Sequence, residues 1–433
     1  MFSLQIVIPP WKYWHNPLKV QPLWELYYAT LIKERFPQAD VNLIDLRESE
    51  SDEPGFSIPE SDIYFYWIMK SADAFDVYDK VRILREAYPK SIHLAGGTHV
   101  EHCMEECINI FDSVYSGTGE ELIVESIENF KNGHLKKHYS SENTYPFENY
   151  SHPSRHFIPH NRIVNTDHFL QYGEIPGTSL YFSRGCNFSC NFCIYNFPKK
   201  FEYRRPDQII SEIEYLKKEF KVKAINLKDE VCIPPNINTC REYLEAIGKT
   251  DITWRGQTVP IGSEDMIRLA RDSGCVELAL GIESVDSDKV LEIANKPSPS
   301  VEKNREFIKM VKKHGIRVKL CLVFGLPGES RGVMKKTMEY IEDVQPDYVS
   351  VSGFDPIPGS YFNKNAKTYG IKSIDPDLSK HAHLLFRFGD NEDVGLPFEF
   401  EKETHWGPSF TREEIVTNIR QFQEFLNKNN MVY

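Results

Sequence analysis

Short apolar runs alternate with longer amphipathic stretches along most of this 433-residue chain, and that alternation restricts the fold more than any other feature. A chain of this length exceeds one ordinary core, so two or three domains are expected. "LQIVIPP" reads as a strand ending at Pro9-Pro10, and "LWELYYATLIKERF" as a helix. "DVNLIDL", "DIYFYWI" and "SIHLAGG" follow as strands, with the helical "AFDVYDKVRILREAY" before the last. "DSVYSGTGEELIVESIENF" completes the set as strand, glycine turn and helix. Strands separated by helices predict a parallel sheet covered on both faces. Ligands of such sheets sit beyond the carboxyl ends of the strands, where "AGGTHVE" and "SGTGEE" fall. Glycine there either admits a ligand to the backbone or makes an ordinary turn.

Residues 131 to about 177 carry many Pro, His, Asn and Ser without a sustained period, and read as a connector. His134, His138, His152, His156 and His160 match no helix-borne pair and read as solvated loop histidines. Alternation resumes with the strands "TSLYFS", "AINLKDE", "ITWRGQT", "VELALGIES", "RVKLCLVFG" and "YVSVSGF". Helical runs such as "PDQIISEIEYLKKEF" and "VEKNREFIKMVKKHG" lie between them. Six strand–helix repeats fit a partial TIM-type barrel, whose chemistry gathers at strand C-terminal ends. The expected class is α/β: a Rossmann-like domain over 1–135, a connector over 136–177, a partial (β/α)6 barrel over 178–375 and an extension over 376–433. The extension ends in the amphipathic "TREEIVTNIRQFQEFLNKN" and reads as a cover for the barrel mouth.

Composition narrows the function classes. The formal charge of −12 disfavours a general nucleic-acid or anionic-membrane surface, since neither polyanion would be attracted. The N-terminus lacks the basic region and apolar run of a signal peptide, and no stretch reaches 18 apolar residues, so a cytoplasmic protein without a membrane span is expected. Nine cysteines in a reducing compartment then read as buried thiols or metal ligands.

Three of the nine stand in "SRGCNFSCNFCIYN": Cys186, Cys190 and Cys193. Four thiolates close a structural zinc or an iron–sulfur cluster, whereas three leave one metal position open. The loop after the first barrel strand could wrap a cubane, with Gly185 permitting a tight turn. Buried thiols and a zinc with a distant fourth ligand are the competing readings; three thiols packed this closely favour the cluster.

"CNFSCNFC" resembles the signature of the radical S-adenosylmethionine (SAM) superfamily, including the aromatic Phe192 before the third cysteine. The resemblance runs over residues 178–355. "NLKDE" stands where the family places polar groups for the methionine amino group, although its usual "GGE" is replaced by Lys228-Asp229-Glu230. "GIES" resembles the fourth-strand segment at the ribose and carboxylate, and "VFGLPGES" the fifth-strand motif beside adenine. The resemblance implies a [4Fe–4S] cluster on Cys186, Cys190 and Cys193. It implies SAM held by Phe192, Asp229, Glu230, Glu283, Ser284, Gly325 and Gly328. It further implies reductive release of a 5′-deoxyadenosyl radical, the cofactor carrying the hard step while protein binds and orients.

A sheet domain with "AGGTHVE" and "SGTGEE" before such a barrel resembles the cobalamin-binding subfamily. That resemblance implies a corrinoid lined by Gly96, Gly97, His99, Gly117, Gly119 and Glu120, in a Rossmann-like cobalamin-binding-type domain. No D-x-H-x-x-G supplies a lower cobalt ligand, and His99 is placed by its motif as a cofactor-tail or backbone contact. Trp24 replaces the usual glycine after "PL", where it would crowd the site or cap one corrin face.

Elsewhere, Cys103 and Cys107 at i, i+4 read as core thiols, as do Cys232, Cys240, Cys275 and Cys321, one of which could donate hydrogen to a radical. "WKYWHNP" offers aromatics for a macrocycle or for packing. Tyr203, Arg204 and Arg205 could hold anionic groups, and His405 and Trp406 could touch substrate. The expected activity is a cobalamin-dependent radical SAM methyltransferase acting on an unactivated carbon of a small molecule, peptide or biosynthetic intermediate through methylcobalamin. It would be served by an electron donor such as flavodoxin or ferredoxin. Radical dehydration, rearrangement or cyclisation without methyl transfer is the alternative.

Overall fold

The computed structural model describes residues 1–11, 17–47, 58–118, 120–141, 146–173, 175–195, 199–381 and 395–432. The chain divides into two compact units, Met1–Asn165 and Thr166–Tyr433.

The first unit is built on β1 (Ser3–Ile8), β2 (Asp40–Asp45), β3 (Ile63–Trp67), β4 (Ile92–Gly96), β5 (Ser113–Gly117) and β6 (His138–Ser141). They form one sheet in the order β2-β1-β3-β4-β5-β6, parallel throughout. Its helices are α1 (Leu23–Arg35), α2 (Ala74–Ala87), α3 (Thr98–His102), α4 (Met104–Ile110), α5 (Glu120–Lys131) and α6 (His160–Ile163). Strand residues alternate between faces. Tyr64 and Tyr66 therefore join a core with Val77, Val81, Val100 and Phe111, while Phe65 packs edge-on against Tyr28 of α1 at 4.9 Å. Both faces are covered, which is why β1 is buried from Leu4 to Ile8 and, Gln5 apart, apolar there. The order reverses between β1 and β3, placing the crevice of a doubly wound sheet beyond their carboxyl ends.

The segment expected as a connector carries β6, a short polar strand whose "HYSS" has no apolar alternation to reveal it. Its remainder is tied into the first unit. Ser154 donates its backbone N–H to Thr30 at 2.8 Å, Gln21 donates to the Ile163 carbonyl at 2.5 Å, and Arg162 pairs with Asp45.

The second unit holds β7 (Gly177–Leu180), a small ribbon of β8 (Ser183–Arg184) with β9 (Glu202–Tyr203), then β10 (Ala224–Leu227), β11 (Thr253–Thr258), β12 (Cys275–Glu283), β13 (Arg317–Phe324) and β14 (Tyr348–Gly353). The sheet order β14-β13-β12-β11-β10-β7, all parallel, is a six-stranded run in sequence order, the open form of a (β/α)6 barrel. Between strands lie α7 (Pro206–Phe220), α8 (Ile237–Gly248), α9 (Glu264–Asp272), α10 (Asp288–Ile293), α11 (Val301–Lys313) and α12 (Val333–Val344). Their starts are written in the sequence: Asn236, Ser263 and Ser300 each accept a hydrogen bond from a first-turn amide.

The extension begins with α13 (Tyr361–Lys364) and continues as β15 (Ile371–Ile374) paired antiparallel with β16 (Phe398–Phe400). Its last helix, α14 (Arg412–Lys428), carries a Thr411–Glu414 capping box and lies beside β13 and β14, with Phe422 edge-on to Phe324 at 5.3 Å. Val349 donates to the Met431 carbonyl at 2.9 Å, so the chain end protects the β14 edge. The expected mouth cover is thus, in this helix, an edge cover.

Candidate active site

The loop after β8 is pinned before any cofactor enters. Gly185 adopts φ of 74°, turning the chain into the cysteine run. Asn191 donates its backbone N–H to Ala294 at 2.9 Å and its side chain to Ile293 at 2.8 Å, while Asn295 donates back to the Ser189 carbonyl at 2.6 Å. Phe362 adds a bond to the Asn191 carbonyl at 3.0 Å. The loop that presents three thiols is therefore stapled to the segment following α10.

Cys186, Cys190 and Cys193 line one cavity of about 260 Å³ at the C-terminal ends of the barrel strands. Burial pushes the Cys186 thiol up to about 11, and Cys190 and Cys193 upward as well. Such thiols become thiolates when a cationic centre offsets their desolvation. Among the described residues no three His, Cys, Asp or Glu side chains are gathered as around one metal ion. Three cysteines lining one cavity supply three of the ligands of a [4Fe–4S] cluster.

Phe192, Glu230 and Glu283 line the same cavity. Burial, reinforced by Asp229, raises the Glu230 carboxyl to about 7. Glu283 sits at φ of 63°, a left-handed conformation that a non-glycine residue adopts only under constraint, at a register shift between β12 and β13. The shift folds its carboxylate back over Gly281, where a Cβ would stand 2.8 Å from Oε1. Lys296 meets that carboxylate at 2.8 Å and lies 5.7 Å from the Phe192 ring centroid. Lys296 is buried; burial works against its charge, yet Glu283 and the neighbouring thiols hold its pKa above the ordinary lysine value. Sequence reasoning missed this residue, because "ANKPSPS" shows no period and no motif.

The other expected SAM contacts stand behind the cavity wall. Asp229 is fully buried and accepts from the Phe182 amide at 3.1 Å and the Ser183 hydroxyl at 2.6 Å, tying the end of β7 to the end of β10. Burial raises it to about 7. Ser284 donates to Glu329 Oε1 at 2.9 Å, and Gly325 donates its N–H to Glu329 Oε2 at 2.8 Å, so "GIES" and "GLPGES" are joined through one buried carboxyl. Burial raises Glu329 to about 8. Gly325 and Gly328 have positive φ, and a Cβ would press on Ile415 and Ile293 respectively. These four positions shape the wall; none lines the cavity itself.

Cys321 lines the cavity, whereas Cys232, Cys240 and Cys275 are buried in the core. Arg204 is buried in an ion pair with Glu212 at 2.5 Å, and Tyr203 packs between Phe182 and Tyr243, so neither stands in the cavity. His405 stacks on Trp406, with 3.6 Å between centroids, away from that lining.

In the first unit the glycine loops meet their own backbone. Gly97 has φ of 106°, and a Cβ there would lie 2.5 Å from the Ile68 carbonyl oxygen. Gly117 has φ of 93° and the same 2.5 Å approach to Ser141. A Cβ on Gly96 would press on the Trp67 ring at 3.0 Å. His99 is buried, with Nε2 2.7 Å from the Tyr78 hydroxyl and Nδ1 3.0 Å from the Ser71 hydroxyl. Both ring nitrogens are thus engaged inside the unit, and burial lowers its pKa to about 4. Glu120 is buried at the start of α5, and Gly119 lies outside the described residues. Trp24 packs 6.4 Å from Trp67 and 6.2 Å from Phe147 between centroids. Of "WKYWHNP", residues 12–16 lie outside the described residues; Trp11 stacks under the Arg47 guanidinium at 4.6 Å. The loop pair Cys103 and Cys107 is split by a break between α3 and α4, both thiols packing on the core. No helix among the described residues is long and apolar enough to cross a membrane.

Comparison with known proteins agrees with this geometry. Residues 180–341 match the model of the Radical SAM superfamily. An uncharacterized methyltransferase of Pyrococcus horikoshii is 25% identical over 371 residues, covering 78% of this chain and 77% of that protein. The anaerobic magnesium-protoporphyrin IX monomethyl ester cyclase of Rubrivivax gelatinosus is 29% identical over 269 residues, 58% of this chain and 43% of the cyclase. The radical SAM methyltransferase TsrM from Kitasatospora setae, solved with cobalamin and a [4Fe–4S] cluster, superposes with a TM-score of 0.67 at 13% identity, over 97% of this chain and 89% of TsrM. The cysteine loop and most of the six-stranded barrel thus fall within the stretch, residues 180–341, that matches the Radical SAM superfamily.

Proposed function

We propose that this protein is a cobalamin-dependent radical SAM methyltransferase acting on carbon in a small molecule or biosynthetic intermediate. The observation that carries the radical half is the convergence of Cys186, Cys190, Cys193, Glu230 and the Glu283–Lys296 pair on one cavity. When bound, the cluster and SAM supply one-electron chemistry ending in hydrogen abstraction, and cobalamin supplies a methyl carrier. The chain's own residues bind and orient. Cys186, Cys190 and Cys193 would hold the cluster in a prebuilt loop and, being three rather than four, would leave room on it for SAM. Glu230 would accept from the amino group, and Lys296, paired with Glu283, is the one lysine or arginine among the described residues lining the cavity and would meet the carboxylate. Phe192 offers an aromatic face to adenine. Asp229, Ser284, Gly325 and Gly328 act one layer back by fixing the wall.

The methyl-transfer half is supported by the methyltransferase relative and by the shared fold with TsrM. In the first unit the fit with cobalamin is one of architecture: the crevice at the β1–β3 reversal is present, but no imidazole is offered to it by His99. A second reading, radical cyclisation or rearrangement without methyl transfer, is favoured by the cyclase relative. One experiment separates them. Anaerobic reconstitution should give iron and cobalt together, 5′-deoxyadenosine on reduction with SAM, and transfer of label from methyl-labelled SAM. Iron without cobalt and without label transfer would leave the cyclase-type reading; no deoxyadenosine would defeat both.

A further inference from the structure

Past β14 the chain runs Phe354-Asp355-Pro356, and Asp355 lines the same cavity as the cysteines while only 4% exposed. Its Oδ1 lies 2.9 Å from His381 Nδ1. Its Oδ2 is buried and finds no hydrogen-bond partner among the described residues. A buried carboxylate oxygen left unmatched is costly unless something else fills the place. His381 comes from the extension, is 2% exposed, and sets Nε2 2.7 Å from the Asp375 carbonyl.

The protons follow from the partners. A carbonyl only accepts, so His381 Nε2 carries hydrogen. One further proton lies between Nδ1 and Oδ1. Whether it sits on imidazole or carboxyl, the pair is neutral overall. Burial raises the Asp355 carboxyl, and the bond to Asp355 outweighs burial to hold His381 above its ordinary value, both in keeping with a shared proton. A neutral pair gives no net attraction to an ammonium group, but its unmatched oxygen accepts from a neutral N–H or O–H. Leu322, Val323, Phe354 and Ile357 are apolar walls of the same cavity.

We propose that Asp355, positioned by His381, anchors the substrate by accepting from a neutral N–H or O–H on an otherwise apolar molecule. The proposal rests on the cavity being the reaction site, as argued above. It assigns to the extension a role in substrate choice that no motif announced.

The test is ligand-observed saturation-transfer NMR on the reconstituted, SAM-loaded protein, with phenol, anisole and benzylammonium as probes. Phenol should bind about tenfold better than anisole, which lacks the donor, and better than the cation. Asp355→Ala should erase the preference, with iron content and melting temperature as checks on folding. His381→Asn, whose amide can replace Nδ1–H, should keep it, while His381→Leu should lose it; this pair decides the matter if Asp355→Ala does not fold. Equal or absent binding of phenol and anisole, preference for benzylammonium, or a preference that survives Asp355→Ala would overturn the proposal. Because the readout needs no turnover, failure to form deoxyadenosine would refute the reaction reading while leaving the anchor standing.

Discussion

Glycine-bearing strand ends occur in both units, yet they are used in opposite ways. In the barrel, Glu230, Glu283 and Asp355 near these ends, with Lys296 from the turn after α10, line a cavity. In the sheet unit the corresponding groups are consumed by the fold itself. Gly97 and Gly117 clear room for carbonyls of the neighbouring loops, and His99 spends both nitrogens on Tyr78 and Ser71. A loop motif therefore marks where a ligand site can be, while only the local partners reveal which residues remain free for it.

The contrast can be broken most sharply at the cysteines. Alanine at Cys186, Cys190 or Cys193 should remove the cluster and reduce deoxyadenosine formation to background, at least about a thousandfold, because one lost ligand opens a second metal position. Iron analysis and product chromatography read both halves; retained iron with retained activity would erase the distinction between the two units. Lys296→Met comes next. It leaves the Glu283 carboxylate, 13% exposed, without its cation, which should cost about 3 kcal/mol or less, and should weaken SAM binding measured by calorimetry. Unchanged affinity would show Lys296 to be a wall residue like Asp229.

On the sheet side, Gly117→Ala should destabilise the protein by about 2–3 kcal/mol in denaturant melts, since φ of 93° and a 2.5 Å carbonyl contact both oppose a Cβ. Loss of cobalamin binding with no loss of stability would instead reveal a glycine kept for ligand approach. The smallest effect concerns pH. His99 has a folded pKa of about 4 against 6.5 for the free side chain. The unfolded chain thus binds the extra proton, and stability present above pH 6.5 falls as pH drops toward 4. The loss through His99 should reach about 1 kcal/mol by pH 5.5, and His99→Gln should flatten that part of the profile in chemical denaturation. An unaltered slope would mean that the ring is not held as described.

The sequence carried the alternation of strand and helix plainly, because strands such as β3 and β13 are largely apolar and the helices between them are amphipathic. The cysteine spacing pointed to the loop whose three thiols line the cavity. Less was legible where chemistry depends on facing. Asp229 and Glu230 are neighbours at a strand end, and successive side chains there take opposite sides, so one braces β7 and the other meets the cavity. No periodic argument chooses between them. Lys296, Asp355 and His381 lie in irregular chain, where contact is made by tertiary approach alone. β6 escaped notice because four polar residues form it.

Asn191 and Asn295 exchange bonds across the gap between the cysteine run and the turn after α10. The nest for iron and the wall bearing Lys296 are consequently one mechanical piece. A substitution that cuts either asparagine bond should therefore shift the thiol loop and the Lys296 turn together, although about a hundred residues of chain separate them.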